Sequence, residues 1–259
     1  MCLLVFAYKF HRDYPLVLVA NRDEYYDRPT APARFWEDFP HLLAGKDLKG
    51  GGTWLGVTRS GRIAAITNYR DPRNQKTGAP SRGMLVRDFL VGGQTPLEYL
   101  ESLAQRADQY NGFNLIVGDK EGLYWYSNRG PGIRGLEPGI HGLSNHLLDT
   151  PWPKVVRAKE ALLDLLSGDR FPADEEFFKL LLDQTRPRDS ELPDTGVGLE
   201  WERILSPIFI TSPVYGTRSS TLVFMHANGK VRFVERSHDK EAPNPRVREF
   251  SFTLDQGFI

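Results

Sequence analysis

The second residue of this chain is its only cysteine. A cysteine in an apolar stretch, taken alone, reads as a small buried hydrophobe. Position two adds a chemical reading. Initiator methionine is commonly removed when the next residue is small, and its removal would leave a thiol and a free α-amine on Cys2. Such amines titrate at about 7.7–8.0, the range suited to taking a thiol proton near neutrality. Nucleophile and base would then be one residue. A site of that kind also needs a cation for the thiolate, a carboxylate for the amine, and amide donors for a tetrahedral intermediate.

Residues of those types stand at the ends of expected strands. Asn21, Arg22, Asp23 and Glu24 form a dense polar cluster directly after an apolar run. A charged strand end with internal pairing fits the same spacing. Asn68, Asn145 and Arg218 also fall at strand ends, where each alone reads as a turn or cap residue.

Other chemistries find less. The six histidines are scattered, with no HExxH or paired Cys/His spacing. His141 and His146, five apart in an expected loop, fit neither a helix face nor a strand face. Gly50, Gly51 and Gly52 precede an expected strand, so the helix N-terminus that would hold a phosphate is missing. The triplet reads as a tight bend or a close backbone approach. There is no P-loop and no G-x-S-x-G elbow, and Ser144, Ser219 and Ser220 lack an evident base. No metal or cofactor is required.

The elements that must position Cys2 are mostly hairpins. Residues 2–8 and 16–20 are continuous apolar runs suited to strands buried on both faces. Further hairpins pair 55–58 with 63–67, 113–117 with 123–126, and 220–225 with 230–234, the last around Asn228-Gly229. Helical periodicity covers 83–91, 96 to about 106, a segment after Thr150-Pro151, and 174–184. In the third, Trp152, Val155, Val156, Leu162, Leu163 and Leu166 line one face, with Lys154, Arg157, Lys159 and Glu160 largely opposite. Antiparallel hairpins with grouped helices argue for an α+β layered fold. Residues 185–198 and 237–245 read as surface excursions, and no linker divides the chain, so residues 1–259 form one domain.

Composition bounds the partners. The chain has 259 residues, and 33 basic residues balance 33 acidic ones. That removes a bulk electrostatic case for nucleic acid or an anionic membrane surface. A single cysteine suits a reducing compartment. No apolar stretch is long enough to span a bilayer and no secretory signal is evident, so the chain reads as soluble and cytoplasmic.

Several motifs occur in order: Asn21-Arg22-Asp23-Glu24 with Arg28-Pro29, Gly51-Gly52-Thr53-Trp54-Leu55-Gly56, Thr67-Asn68-Tyr69-Arg70, Ser81-Arg82-Gly83, Tyr110-Asn111-Gly112-Phe113-Asn114-Leu115, Gly142-Leu143-Ser144-Asn145, Pro151-Trp152-Pro153-Lys154 and Tyr215-Gly216-Thr217-Arg218-Ser219-Ser220. From residue 2 to about 236 the chain resembles the NRDE family, also called the transport-and-Golgi-organisation family. More distantly it resembles the penicillin V acylase and bile-salt hydrolase group. The resemblance implies an N-terminal-nucleophile hydrolase-like fold, a four-layer αββα sandwich with antiparallel sheets. It implies Cys2 as nucleophile and base, Asp23 holding the amine, Arg22 and Arg218 stabilising the thiolate, and Asn68 and Asn145 as oxyanion hole. Two functions follow as expectations. One is a Cys-dependent hydrolase of an amide or thioester of a small acyl compound. The other is a non-enzymatic carrier of haem or of a lipid or acyl-CoA ligand in the same pocket.

Overall fold

The structure is a computed structural model that describes residues 2–238 and 245–255. Two antiparallel sheets face each other. The first has six strands, in the order β10 (Gly139–Leu143), β1 (Cys2–Tyr8), β2 (Leu16–Tyr25), β11 (Tyr215–Met225), β12 (Lys230–Ser237) and β13 (Arg246–Thr253). The second runs β3 (Thr30–Phe35), β4 (Leu42–Asp47), β5 (Leu55–Thr58), β6 (Ile63–Asn68), β7 (Phe113–Gly118), β8 (Leu123–Ser127) and β9 (Arg134–Gly135).

The period of a strand explains the layers. Side chains alternate between faces, so Cys2, Leu4, Phe6 and Tyr8 of β1 enter the core between the sheets. Leu3, Val5 and Ala7 pack instead against α3 (Pro153–Leu166) and α4 (Asp174–Leu181). The outer face of the second sheet packs on α1 (Gly83–Val91) and α2 (Pro96–Ala104). The chain is therefore an α+β sandwich of helices, sheet, sheet and helices. Burial on both faces is why β1 and β2 read as unbroken apolar runs.

All four expected hairpins form. Helix α2 opens on a capping box between Thr95 and Glu98, which satisfies two orphan amides.

Several elements differ from expectation. His141 lies in β10, opposite Phe6 of β1, and not in a loop. Trp152 is the N-cap residue of α3, with Pro153 as the first helical residue, and Lys154, expected on the polar face, is buried. Strand β3 contains Pro32, which reads as a breaker but is tolerated at a sheet edge. Strand β13 exposes most of its residues, and its pairing with β12 rather than its own pattern makes it a strand. Helix α5 (Leu199–Leu205) was not marked by periodicity because it spans only seven residues. The expected excursion at 237–245 falls largely on residues outside those described.

Candidate active site

Cys2 opens β1 directly opposite Arg22 of β2. Directly opposed residues share a face, so the thiol and the guanidinium both point between the sheets. Burial raises the pKa of Cys2, while the charge of Arg22 and the backbone of Asp23 favour the thiolate. The resting thiol is protonated, and the site needs a base to take that proton.

Trp54 positions Arg22. Its ring lies 4.3 Å from the guanidinium carbon. A Cβ at Gly45 would come within 2.3 Å of that indole, so only glycine leaves room for it. Arg22 is 5% exposed and its Nη1 has no hydrogen-bond partner among the described residues. Burial lowers its pKa.

One residue further along β2, Asp23 points to the opposite face. Its Oδ1 accepts a 2.7 Å hydrogen bond from Thr217 of β11, and the Tyr215 hydroxyl donates to its backbone carbonyl at 2.8 Å. Burial pushes the Asp23 carboxyl above the usual range, and the nearby charge of Lys154 is the largest effect opposing it. Lys154 donates to the carbonyl of Leu205 at the end of α5, at 3.0 Å. A cation suits a helix C-terminus, but complete burial still brings its pKa down to about 8.

The end of β10 carries the chain past Cys2. Ser144 Oγ donates to the Cys2 carbonyl at 3.3 Å, and Thr67 Oγ1 donates to the Ser144 carbonyl at 2.6 Å. Asn145 Nδ2 donates to the Asn68 carbonyl at 2.9 Å. Arg70, which holds Asn145 through main-chain and side-chain contacts, forms a buried ion pair with Glu202 at 2.5 Å. Tertiary contacts thus gather Cys2, Arg22, Asp23, Asn68 and Asn145 at one end of the sandwich.

Arg218 departs from expectation. A bulge between Thr217 and Ser219 places Thr217 toward Asp23 and turns Arg218 away. Its guanidinium donates to the carbonyls of Tyr25 and Arg28, at 2.8 and 3.2 Å. Arg218 braces the turn after β2, and Arg22 is the arginine beside the thiol.

A cleft of about 320 Å³ opens over Cys2, lined also by Arg22, Asn68 and residues 81–83 at the start of α1. Four contributors had no local signal: Lys154, Thr217, Arg70 and Glu235. Glu235 is buried, accepts from the Ala33 amide at 2.7 Å, and is pushed up to about 7 by burial. Arg70, Lys154 and Thr217 do lie inside the motifs Thr67-Asn68-Tyr69-Arg70, Pro151-Trp152-Pro153-Lys154 and Tyr215-Gly216-Thr217-Arg218, but periodicity put Lys154 on the polar face. Among the described residues no group of three or more His, Cys, Asp or Glu side chains could hold a metal ion. Among the described residues, likewise, no helix is long and apolar enough to cross a membrane.

The family described as Transport and Golgi organisation 2 matches residues 1–240. The mouse Transport and Golgi organization 2 homolog is 35% identical over 98% of this chain and 99% of its own length. The human homolog is 36% identical over the same shares. Among solved structures, a conjugated bile acid hydrolase from Clostridium perfringens superposes with a TM-score of 0.56 at 9% identity, covering 99% of this chain and 95% of that one. That likeness is one of fold.

Proposed function

The chain belongs to the Transport and Golgi organisation 2 family, and from its site we propose a Cys2-dependent N-terminal-nucleophile hydrolase. Its substrate would be an amide or thioester of a small acyl compound. One observation carries this reading: the lone thiol opens a buried strand under a cleft, with Arg22 opposite it, Asp23 and Asn68 also lining the cleft, and Asn145 bonded to the Asn68 carbonyl.

With Met1 removed, the free amine of Cys2 takes the thiol proton and the sulfur attacks the acyl carbon. The carbonyl π electrons move to oxygen, and amide donors at Asn68 and Asn145 bind the oxyanion. Its collapse expels the amine or thiol, which takes the proton from the ammonium. Water then attacks the acyl carbon of the thioester and gives a proton to the amine; the carbon–sulfur bond breaks, the acid leaves, and the ammonium returns that proton to the sulfur. Asp23 orients the ammonium and Arg22 steadies the thiolate. Met1 itself lies outside the described residues.

Intact mass and turnover test this together. The mature protein should be lighter than the encoded chain by one methionine residue, and Cys2→Ala should abolish turnover across acyl amides and acyl thioesters. A panel without any Cys2-dependent turnover sinks the proposal. The carrier reading uses the same cleft; a saturable absorbance shift on haem titration, unchanged in Cys2→Ala, would favour it.

A further inference from the structure

The glycine triplet at 50–52 has no helix after it in sequence, yet a helix N-terminus packs against it. Thr53 N donates to the carbonyl of Gly83, the first residue of α1, at 3.1 Å. A Cβ on Gly52 would lie 2.2 Å from the Gly83 carbonyl carbon, so the contact requires glycine. The α1 N-terminus has no side-chain cap; its Met84 and Leu85 amides donate to the carbonyls of Ser81 and Arg82, and it presents the positive end of the helix dipole. Its first residue, Gly83, lines the cleft over Cys2 together with Ser81 and Arg82 just before it.

A second observation points to a ligand there. Arg22 lines the same cleft, is 95% buried as the complement of its 5% exposure, and leaves Nη1 without a partner. A buried donor left unpaired costs about 1–3 kcal/mol, more for a charged group, so an incoming acceptor would recover that cost.

The charges of the cleft complete the case. Arg28 is answered by Asp47 at 2.6 Å and Glu24 at 3.6 Å, and Asp23 is engaged by Thr217. Arg22, Lys49 and Arg82 also line the cleft, and none has a carboxylate within 4.0 Å among the described residues. Arg82 is fixed by donating to the Gly112 carbonyl at 2.9 Å.

We propose that Arg22, Arg82, Lys49 and the α1 N-terminus form a subsite for an oxyanion, a carboxylate or phosphate borne by the acyl compound. The assignment rests on the proposed function only in that the substrate enters by this cleft. A neutral acyl amide would leave the subsite empty, whereas an anionic one would seat its charge beside the thiol. Arg82 is then a specificity-determining residue.

Because Cys2 is the only cysteine, alkylation reads this site without any need for turnover. Iodoacetate and iodoacetamide differ in one charge, and intact mass follows both. The rate ratio of iodoacetate to iodoacetamide should exceed that of free cysteine and fall about fivefold in Arg82→Gln, the scale of one charge a few ångströms away in a partly wet cleft. Arg82→Lys should keep most of the ratio. Lys49 is exposed and its side chain makes no hydrogen bond or ion pair among the described residues, so Lys49→Gln should lower the ratio without disturbing the fold. Inorganic phosphate or acetate should protect against iodoacetate, and the stronger protector identifies the preferred anion. A ratio equal to that of free cysteine in every chain, a Cys2 that neither reagent reaches, or no protection by either anion overturns the subsite. Loss of turnover in Cys2→Ala with a flat ratio would leave the hydrolase standing and this inference refuted.

Discussion

Asn145 Nδ2 donates to the backbone carbonyl of Asn68 at 2.9 Å, joining two residues 77 positions apart into one unit beside Cys2. The bond ties the end of β10 in one sheet to the end of β6 in the other. It holds the sandwich closed at the site and fixes where the Asn68 main chain sits.

Asn145→Ala removes that donor and also the Oδ1 that accepts from Arg70 and Ser144. Leaving buried partners unsatisfied costs about 1–3 kcal/mol, to be read from urea denaturation. Turnover should fall by about 10²–10³, the loss typical of one oxyanion donor. Full turnover on a destabilised fold would make Asn145 a structural tie only.

Thr217→Val and Lys154→Met both remove groups that favour the ionised Asp23 carboxylate. Burial already raises its pKa, so either change raises it further. The acid limb of kcat/KM should therefore move to higher pH in both variants. A limb that stays in place would separate Asp23 ionisation from turnover. Thr217→Val also leaves the Ile210 amide unpaired, so its stability should drop by about 1–3 kcal/mol.

Glu235 contributes a pH dependence of stability. Its folded pKa of about 7 lies above the ordinary 4.5, so the fold holds the proton that the unfolded chain releases. Stability should fall as pH rises from 4.5 through about 7. Glu235→Gln keeps an acceptor for Ala33 and should flatten that slope, gaining stability above pH 7 in thermal melts. An identical slope in both chains would count against a buried, protonated carboxyl.

His141 works in the other sense. Burial favours its neutral ring, but the hydrogen bond to Asp149 at 2.8 Å, the bond to the Glu137 carbonyl and the charge of Asp149 together outweigh that and raise the pKa above 6.5. Its stabilisation is fully present below pH 6.5 and is lost as pH rises through the folded value. Asp149, held down to about 2 by His141, Lys159 and the Gly142 amide against its burial, contributes above about 3.8 and is lost on acidification. His141→Gln should lower Tm at pH 5.5 and leave a smaller difference at pH 8.5. Equal differences at both pH values would refute the ionic part of this contact.

Much of the fold was legible because short-range order is written in the local pattern. The hairpin partners are close in sequence, and the apolar runs of β1 and β2 declare burial on both faces. Position two marked Cys2, and the strand end after it marked Arg22 and Asp23. The α1 boundaries, residues 83–91, follow directly from their periodicity.

Only the tertiary structure decided the rest, since it turns on contacts between distant segments. No local rule says that the bulge in β11 would send Thr217 toward Asp23, 194 residues away, and Arg218 elsewhere. Lys154 sits at a polar-face position of its helix, yet the end of α5 and Asp23 enclose it. The glycine triplet lacks a helix in sequence and receives one from α1 in space. Cys2 was marked by its own position in the chain, but its electrostatic surroundings were not. Those depend on which charges the packing of four layers brings within a few ångströms, and Coulomb interactions follow distance in space rather than in sequence.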